Sequence, residues 1–167
     1  MRGRNSEPTK KINALVGRLR EVLSRCIQAG AERAEEVWLS SADIKFLFGI
    51  SSRTLDHWKK DGLICPQLLG GRNQFGLPAV LELIQRNRHL GTVNKVSPLP
   101  EQELDPARLV LLDPNDFCAY LKISSRTEFR YRSKALLPHI RIRGRIYYTL
   151  ADIREMMEKF KVKSQKS

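Results

Sequence analysis

Apolar positions along the chain follow two periods. Between residues 10 and 29, Ile12, Leu15, Leu19, Val22 and Cys26 recur at alternating three- and four-residue steps with arginines between them, which is the spacing of one helical face. That seam either pairs with a second chain as a short coiled coil, giving a homodimer through residues 12–26, or lies on the module that follows it. Shorter helical patterns come next. Ser40-Ser41-Ala42-Asp43 opens one that continues through Ile44, Leu47 and Phe48 and stops at Gly49. Asp113-Pro114-Asn115-Asp116 opens another, with an Asp cap, Pro in the first turn, and Phe117, Tyr120 and Leu121 on its apolar face. After a tight turn at Ile50 or Ile123, a Ser-Ser pair starts a further helix each time, and Ser125 with Glu128 has the spacing of a capping box.

In the first of these later helices Leu55 and Trp58 point inward, while Arg53, His57 and Lys60 share the outer face. In the second, Arg126, Arg130 and Ser133 occupy that outer face, and Glu128 falls where Leu55 is inward, so this helix is either rotated or uses Phe129 against a partner. The period then changes to two. Residues 139–148 read as strand, Gly turn, strand, with Ile140 and Ile142 on the packed side, Arg141 and Arg143 on the other, and Arg145 near the tip. Residues 68–75 form a similar hairpin around Gly70-Gly71 with a single arginine, Arg72. Closing helices are expected over 78–84 and 151–160, with Val80, Leu83 and Ile84 matching Ile153, Met156 and Met157 inward, and Thr149 spaced to cap the second against Asp152.

These elements are one unit written twice. Residues 37–84 and 110–157 align without a gap at an offset of 73, and Ile50-Ser51-Ser52-Arg53-Thr54 recurs unchanged as Ile123-Ser124-Ser125-Arg126-Thr127. Leu39 matches Leu112, Asp43 matches Asp116, Gly71-Arg72 matches Gly144-Arg145, and Trp58 is answered by Tyr131. The resulting organisation is an N-terminal basic amphipathic helix (1–36), a first module (37–90), a Pro- and acid-rich linker (91–107), a second module (108–160) and a basic tail (161–167) expected to be disordered. The fold class that follows is mainly α with small β-hairpin wings: two tandem winged helix-turn-helix domains plus the N-terminal helix.

Charge turns this organisation into a functional expectation. The 167 residues carry 30 Lys and Arg against 18 Asp and Glu, a net +12, which suits a polyanionic partner. The surplus belongs to the modules and ends: residues 108–160 hold 11 basic against six acidic side chains, whereas 91–107 is net negative. Cys26, Cys65 and Cys118 are scattered, form no CxxC pair and have only three histidines for company, so neither a metal site nor a redox motif is expected. No catalytic constellation, phosphate-cradling loop or cofactor motif is legible, and the chain reads as a non-enzyme without a small-molecule substrate. No run of apolar residues is long enough to span a bilayer, so a cytoplasmic, nucleoid-associated location is expected and no membrane partner.

Ser-Ser-Arg-Thr-Leu-x-x-Trp-x-x-x-Gly-Leu-Ile (51–64), followed by Gly-Gly-Arg and a closing helix, resembles the MerR/excisionase-type winged helix superfamily. The second copy, ending Gly-Arg-Ile-Tyr-Tyr-Thr-Leu-Ala-Asp-Ile, resembles small helix-turn-helix proteins of bacterial mobile elements. The resemblance implies that each second helix enters the major groove of double-stranded DNA and each hairpin the adjacent minor groove. The expected contact set is Ser52, Arg53, His57, Lys60, Arg72, Ser125, Arg126, Arg130, Ser133, Arg141, Arg143 and Arg145. Three roles follow from it: an excisionase-like architectural factor working with a recombinase or integrase, a promoter-binding regulator, or an adaptor in which one module docks protein instead of DNA.

Overall fold

The computed structural model describes residues 7–28, 37–91, 94–95 and 108–164. Helix α1 (Glu7–Gln28) forms as its periodicity requires. Its seam is not free: Ile12, Leu15, Leu19 and Val22 are only 3–6% exposed within the single chain. Four of the five seam positions are therefore covered within one chain rather than left as an open stripe. The Cys26 side chain lies outside the described residues.

The chain divides into two compact units, Gly17–Arg86, and Met1–Val16 together with Asn87–Ser167. The first holds β1 (Trp38–Ser40), α2 (Ser41–Phe48), α3 (Ser52–Lys60), β2 (Gln67–Leu69), β3 (Arg72–Gly76) and α4 (Leu77–Arg86). Helix α2 starts at a reciprocal cap: the Ser40 hydroxyl accepts from Asp43 N, and the Asp43 carboxylate accepts from Ser40 N at 2.9 Å. It stops where Gly49 turns left-handed. Strands β1, β3 and β2 form an antiparallel sheet in the order β1-β3-β2, one face of which packs on the helices. Ile44, Phe48, Leu55, Trp58, Phe75, Leu77, Val80 and Leu83 fill the core, with Phe48 and Trp58 edge to face at 5.2 Å between ring centres.

The other unit has the same element order in β6 (Leu111–Leu112), α5 (Pro114–Leu121), α6 (Ser125–Ser133), β7 (His139–Ile142), β8 (Arg145–Thr149) and α7 (Leu150–Ser164). The 73-residue offset survives at the level of single hydrogen bonds. Leu77 N donates to Val37 O at 2.9 Å, and Leu150 N donates to Val110 O at 3.0 Å. Strand registers repeat too, Leu39 facing Phe75 and Leu112 facing Tyr148.

Left-handed residues repeat in the same way, with a difference in chemistry. Gly49, Gly62 and Gly70 of the first unit have positive φ, and their counterparts Lys122, Ala135 and Arg143 adopt it at φ 57, 54 and 48 despite their side chains. Both hairpins turn through two consecutive left-handed residues, Gly70-Gly71 and Arg143-Gly144, the geometry that matches strand twist.

Several expectations need correction. The cap of α6 is Ser124, whose hydroxyl accepts from Thr127 N at 3.2 Å, not Ser125 with Glu128. Glu128 cannot reach back to a cap because it points into the core, 4% exposed. Helix α7 continues to Ser164, into the stretch expected as a disordered tail. Strands β4 (Arg88–Leu90) and β5 (Asn94–Lys95), read in sequence as the end of the 37–90 module and the start of the linker, have no periodic signature of their own. Strand β4 pairs antiparallel with β7, Arg88 facing Ile140 and His89 facing His139. The second hairpin is thereby part of a five-stranded sheet, β5-β4-β7-β8-β6. The remainder of the expected linker and the tail beyond Ser164 lie outside the described residues.

Candidate nucleic-acid interface

The site is built on α5, the three-residue turn that follows it, and α6. Lys122 N donates to Cys118 O to close α5, Ile123 N bonds to the same carbonyl at 3.0 Å, and Ser124 caps the next helix. The first unit turns identically through Gly49, Ile50 and Ser51, with the Ser51 hydroxyl accepting from Thr54 N at 3.2 Å. A turn this short, pinned at both ends, fixes the angle of the second helix and decides which of its faces is left outside.

Glu128 shows how that angle is held. At the position where the first unit buries Leu55 and Phe75, the later unit buries Glu128 and Tyr148. The Tyr148 hydroxyl donates to Glu128 Oε1, and Arg132 Nε lies 3.2 Å from the same oxygen. Burial and then the Glu128 carboxylate push the Tyr148 phenol well above its ordinary pKa, so it remains a donor. An apolar pair has been exchanged for a hydrogen-bonded one in the same place, so α6 is not rotated relative to α3, as the sequence had left open. Phe129, next to Glu128, is 60% exposed.

All twelve residues of the expected contact set are solvent-exposed. Arg126, Arg130 and Ser133 lie along the open face of α6, and Arg53, His57 and Lys60 along that of α3. Ser52 and Ser125 sit at the first turn and are engaged locally: Lys45 Nζ donates to Ser52 Oγ at 3.0 Å, and Ser125 hydrogen-bonds the Cys118 thiol. Burial and the nearby Glu128 carboxylate push that thiol up, against the Ser125 bond. On the hairpin, Arg141 stands on the exposed side of β7 between buried Ile140 and Ile142, Arg143 forms the turn, and Arg145 hydrogen-bonds the Tyr147 phenol. Arg72 is the single cation of the first hairpin, beside Leu68 at 72% and Leu69 at 41% exposed.

The last turn of α6 and the first strand of the hairpin meet at one cavity. Phe129, Arg132 and Ser133 of α6 line the same cavity, of about 320 Å³, as His139 and Arg141 of β7 and His89 and Gly91 at β4. Arg132, His139 and His89 are the members of this group that sequence reasoning missed. The Glu128–Arg132 spacing of four residues was a legible signal for the first; the histidines gave none, because the strand that brings them together pairs across 50 residues of chain.

A second helix presented by a capped three-residue turn, with an arginine-bearing hairpin beside it and a closing helix behind, is the architecture of a helix-turn-helix DNA-binding domain. Residues 111–161 match the family model described as a helix-turn-helix domain, and these bounds enclose β6 through most of α7. No curated protein and no solved structure matches the chain. Among the described residues no helix is long and apolar enough to cross a membrane, and no group of His, Cys, Asp and Glu is placed to hold a metal ion.

Proposed function

We propose that the chain binds double-stranded DNA with sequence preference through two tandem winged helix-turn-helix modules, the later one gripping more strongly. The observation that supports this is the cavity that Ser133 at the end of α6 shares with Arg141 on the exposed side of β7. Helix side chains there reach base edges, and hairpin guanidinium groups meet phosphates or a narrow minor groove. The working set is Arg126, Arg130, Ser133 and Ser125 on α6, Arg141, Arg143 and Arg145 on the wing, and Ser52, Arg53, His57, Lys60 and Arg72 in the first module. An excisionase-like architectural role beside a recombinase uses these contacts to shape DNA, and a promoter-binding role uses them to mark a site.

Gel shifts on specific and random duplexes test it. Arg126→Ala and Arg130→Ala should narrow the gap between the two duplexes, and Arg143→Ala or Arg145→Ala should weaken both evenly. Affinity should fall steeply between about 50 and 200 mM salt. Unchanged binding in all four variants would defeat the proposal. The exposed Leu68 and Leu69 favour one further reading, in which the first module's wing docks a protein. Under it, Arg53→Ala and Lys60→Ala leave DNA affinity untouched.

A further inference from the structure

The cavity shared by α6, β7 and β4 has more built into it than a duplex-facing surface requires. Its polar lining is made of donors: the Arg132 and Arg141 guanidinium groups, the Ser133 hydroxyl, and the His89 and His139 imidazoles, whose ring centres are 5.8 Å apart. Glu128, the carboxylate nearest, is already held by Tyr148 and Arg132. Among the described residues Arg141 has no carboxylate partner. His139 is 5% exposed, and its Nδ1 is buried with no hydrogen-bond partner in the described structure.

A buried ring nitrogen left without a partner is costly. Burial first, and then Arg132, His89 and Arg141, push the His139 imidazole down to about 4, and the share owed to the two arginines reflects the positive charge that an anion entering the cavity would meet. The enclosure depends on β4. Gly91 ends that strand at φ 68, where a Cβ would stand 3.1 Å from the Ala135 Cβ, so strand and α6–β7 connection are in close contact. In the first unit the positions equivalent to Arg132, Ser133, His139 and Arg141 are Lys59, Lys60, Pro66 and Leu68, so only the later unit has this chemistry.

We propose that this cavity is a phosphoryl-group site, occupied by one phosphodiester of the bound duplex and closed on its far side by His89. The assignment rests on the DNA-binding reading, because Ser133 and Arg141 at the mouth belong to the proposed contact set. A phosphoryl group matches two forked guanidinium groups, a hydroxyl and an imidazole better than a planar carboxylate does, since its unesterified oxygens diverge tetrahedrally, and in a diester the two ester oxygens leave through the open mouth. The strand β4 thus converts a wing that only tracks phosphates into one that encloses a phosphate.

The test uses the full chain at neutral pH, with the imidazole NMR signals of His89 and His139 as readout and ionic strength held constant with chloride. Inorganic phosphate should move both signals saturably, and His89→Leu, with its fold checked by circular dichroism, should weaken phosphate binding about tenfold. One equivalent of duplex should move the same signals, and His139→Gln should leave the His89 shift in place if the variant folds. Phosphate that moves neither imidazole, with duplex still shifted in a gel, overturns the cavity assignment and leaves DNA binding standing. Phosphate that moves both, with bound duplex moving neither, overturns the diester as occupant in favour of a free phosphate. Phosphate that moves both while no duplex binds at all overturns the DNA reading and with it the diester.

Discussion

The exchange of Leu55 and Phe75 for Glu128 and Tyr148 makes the repeat its own mutational control. Replacing Tyr148 with Phe removes one charge-assisted donor from a carboxylate that is 4% exposed, leaving Arg132 as its support. Hydrogen bonds to buried charged groups contribute about 1.5–3 kcal/mol, so Tyr148→Phe should cost about 2 kcal/mol. Glu128→Leu alone orphans the buried Tyr148 hydroxyl, at a similar cost of about 2 kcal/mol. The double variant rebuilds the pair the first unit already packs, and should lie within about 1 kcal/mol of the parent. That implies a coupling of about 3 kcal/mol, readable from urea unfolding of the four proteins at constant slope. A double variant destabilised by the sum of the two single changes would refute the argument, because it would mean the two sites do not exchange one pair for the other.

Three shorter predictions accompany it. Ser124→Ala should cost about 1 kcal/mol of stability in chemical denaturation while Ser125→Ala costs less than about 0.5, since only Ser124 caps α6. Lys122→Gly should stabilise by about 0.5–1 kcal/mol, because the left-handed φ of 57 is strained for lysine and free for glycine; a lower unfolding midpoint would show that the turn needs its side chain. His139 has its folded-state pKa pushed down to about 4 from an ordinary 6.5, so its stabilisation is complete above pH 6.5 and is lost as pH falls toward 4, by on the order of 2–3 kcal/mol. His139→Gln should flatten the stability curve across that window, and an unchanged acid limb would count against the buried neutral imidazole.

What the sequence made legible was whatever depends on neighbours. Caps, turns and apolar periods placed α2, α3, α5 and α6 within a residue or two, because a Ser or Asp before an apolar step satisfies backbone donors locally. The hairpin arginines were legible for the same reason, through alternation around Ile140 and Ile142. His139 broke that alternation and was missed: β4 covers it from one side, and three residues of Arg-His-Leu carry no period from which a strand can be read. Glu128 was misread as a capping partner because its true partner, Tyr148, lies 20 residues away and pairs only once the sheet has closed. The seam of α1 is legible as apolar from its spacing, but spacing alone does not say that four of its positions are covered within the chain.

Because Asn87 O accepts from Arg141 N at 2.9 Å and β4 completes the edge of β7, residues 87–90 are structural members of the later unit. A fragment begun at residue 108 would contain every residue of the family match but none of the strand that shields β7. Its bare edge would offer unpaired amides and carbonyls to any other chain, so a fragment meant to stay monomeric has to keep β4.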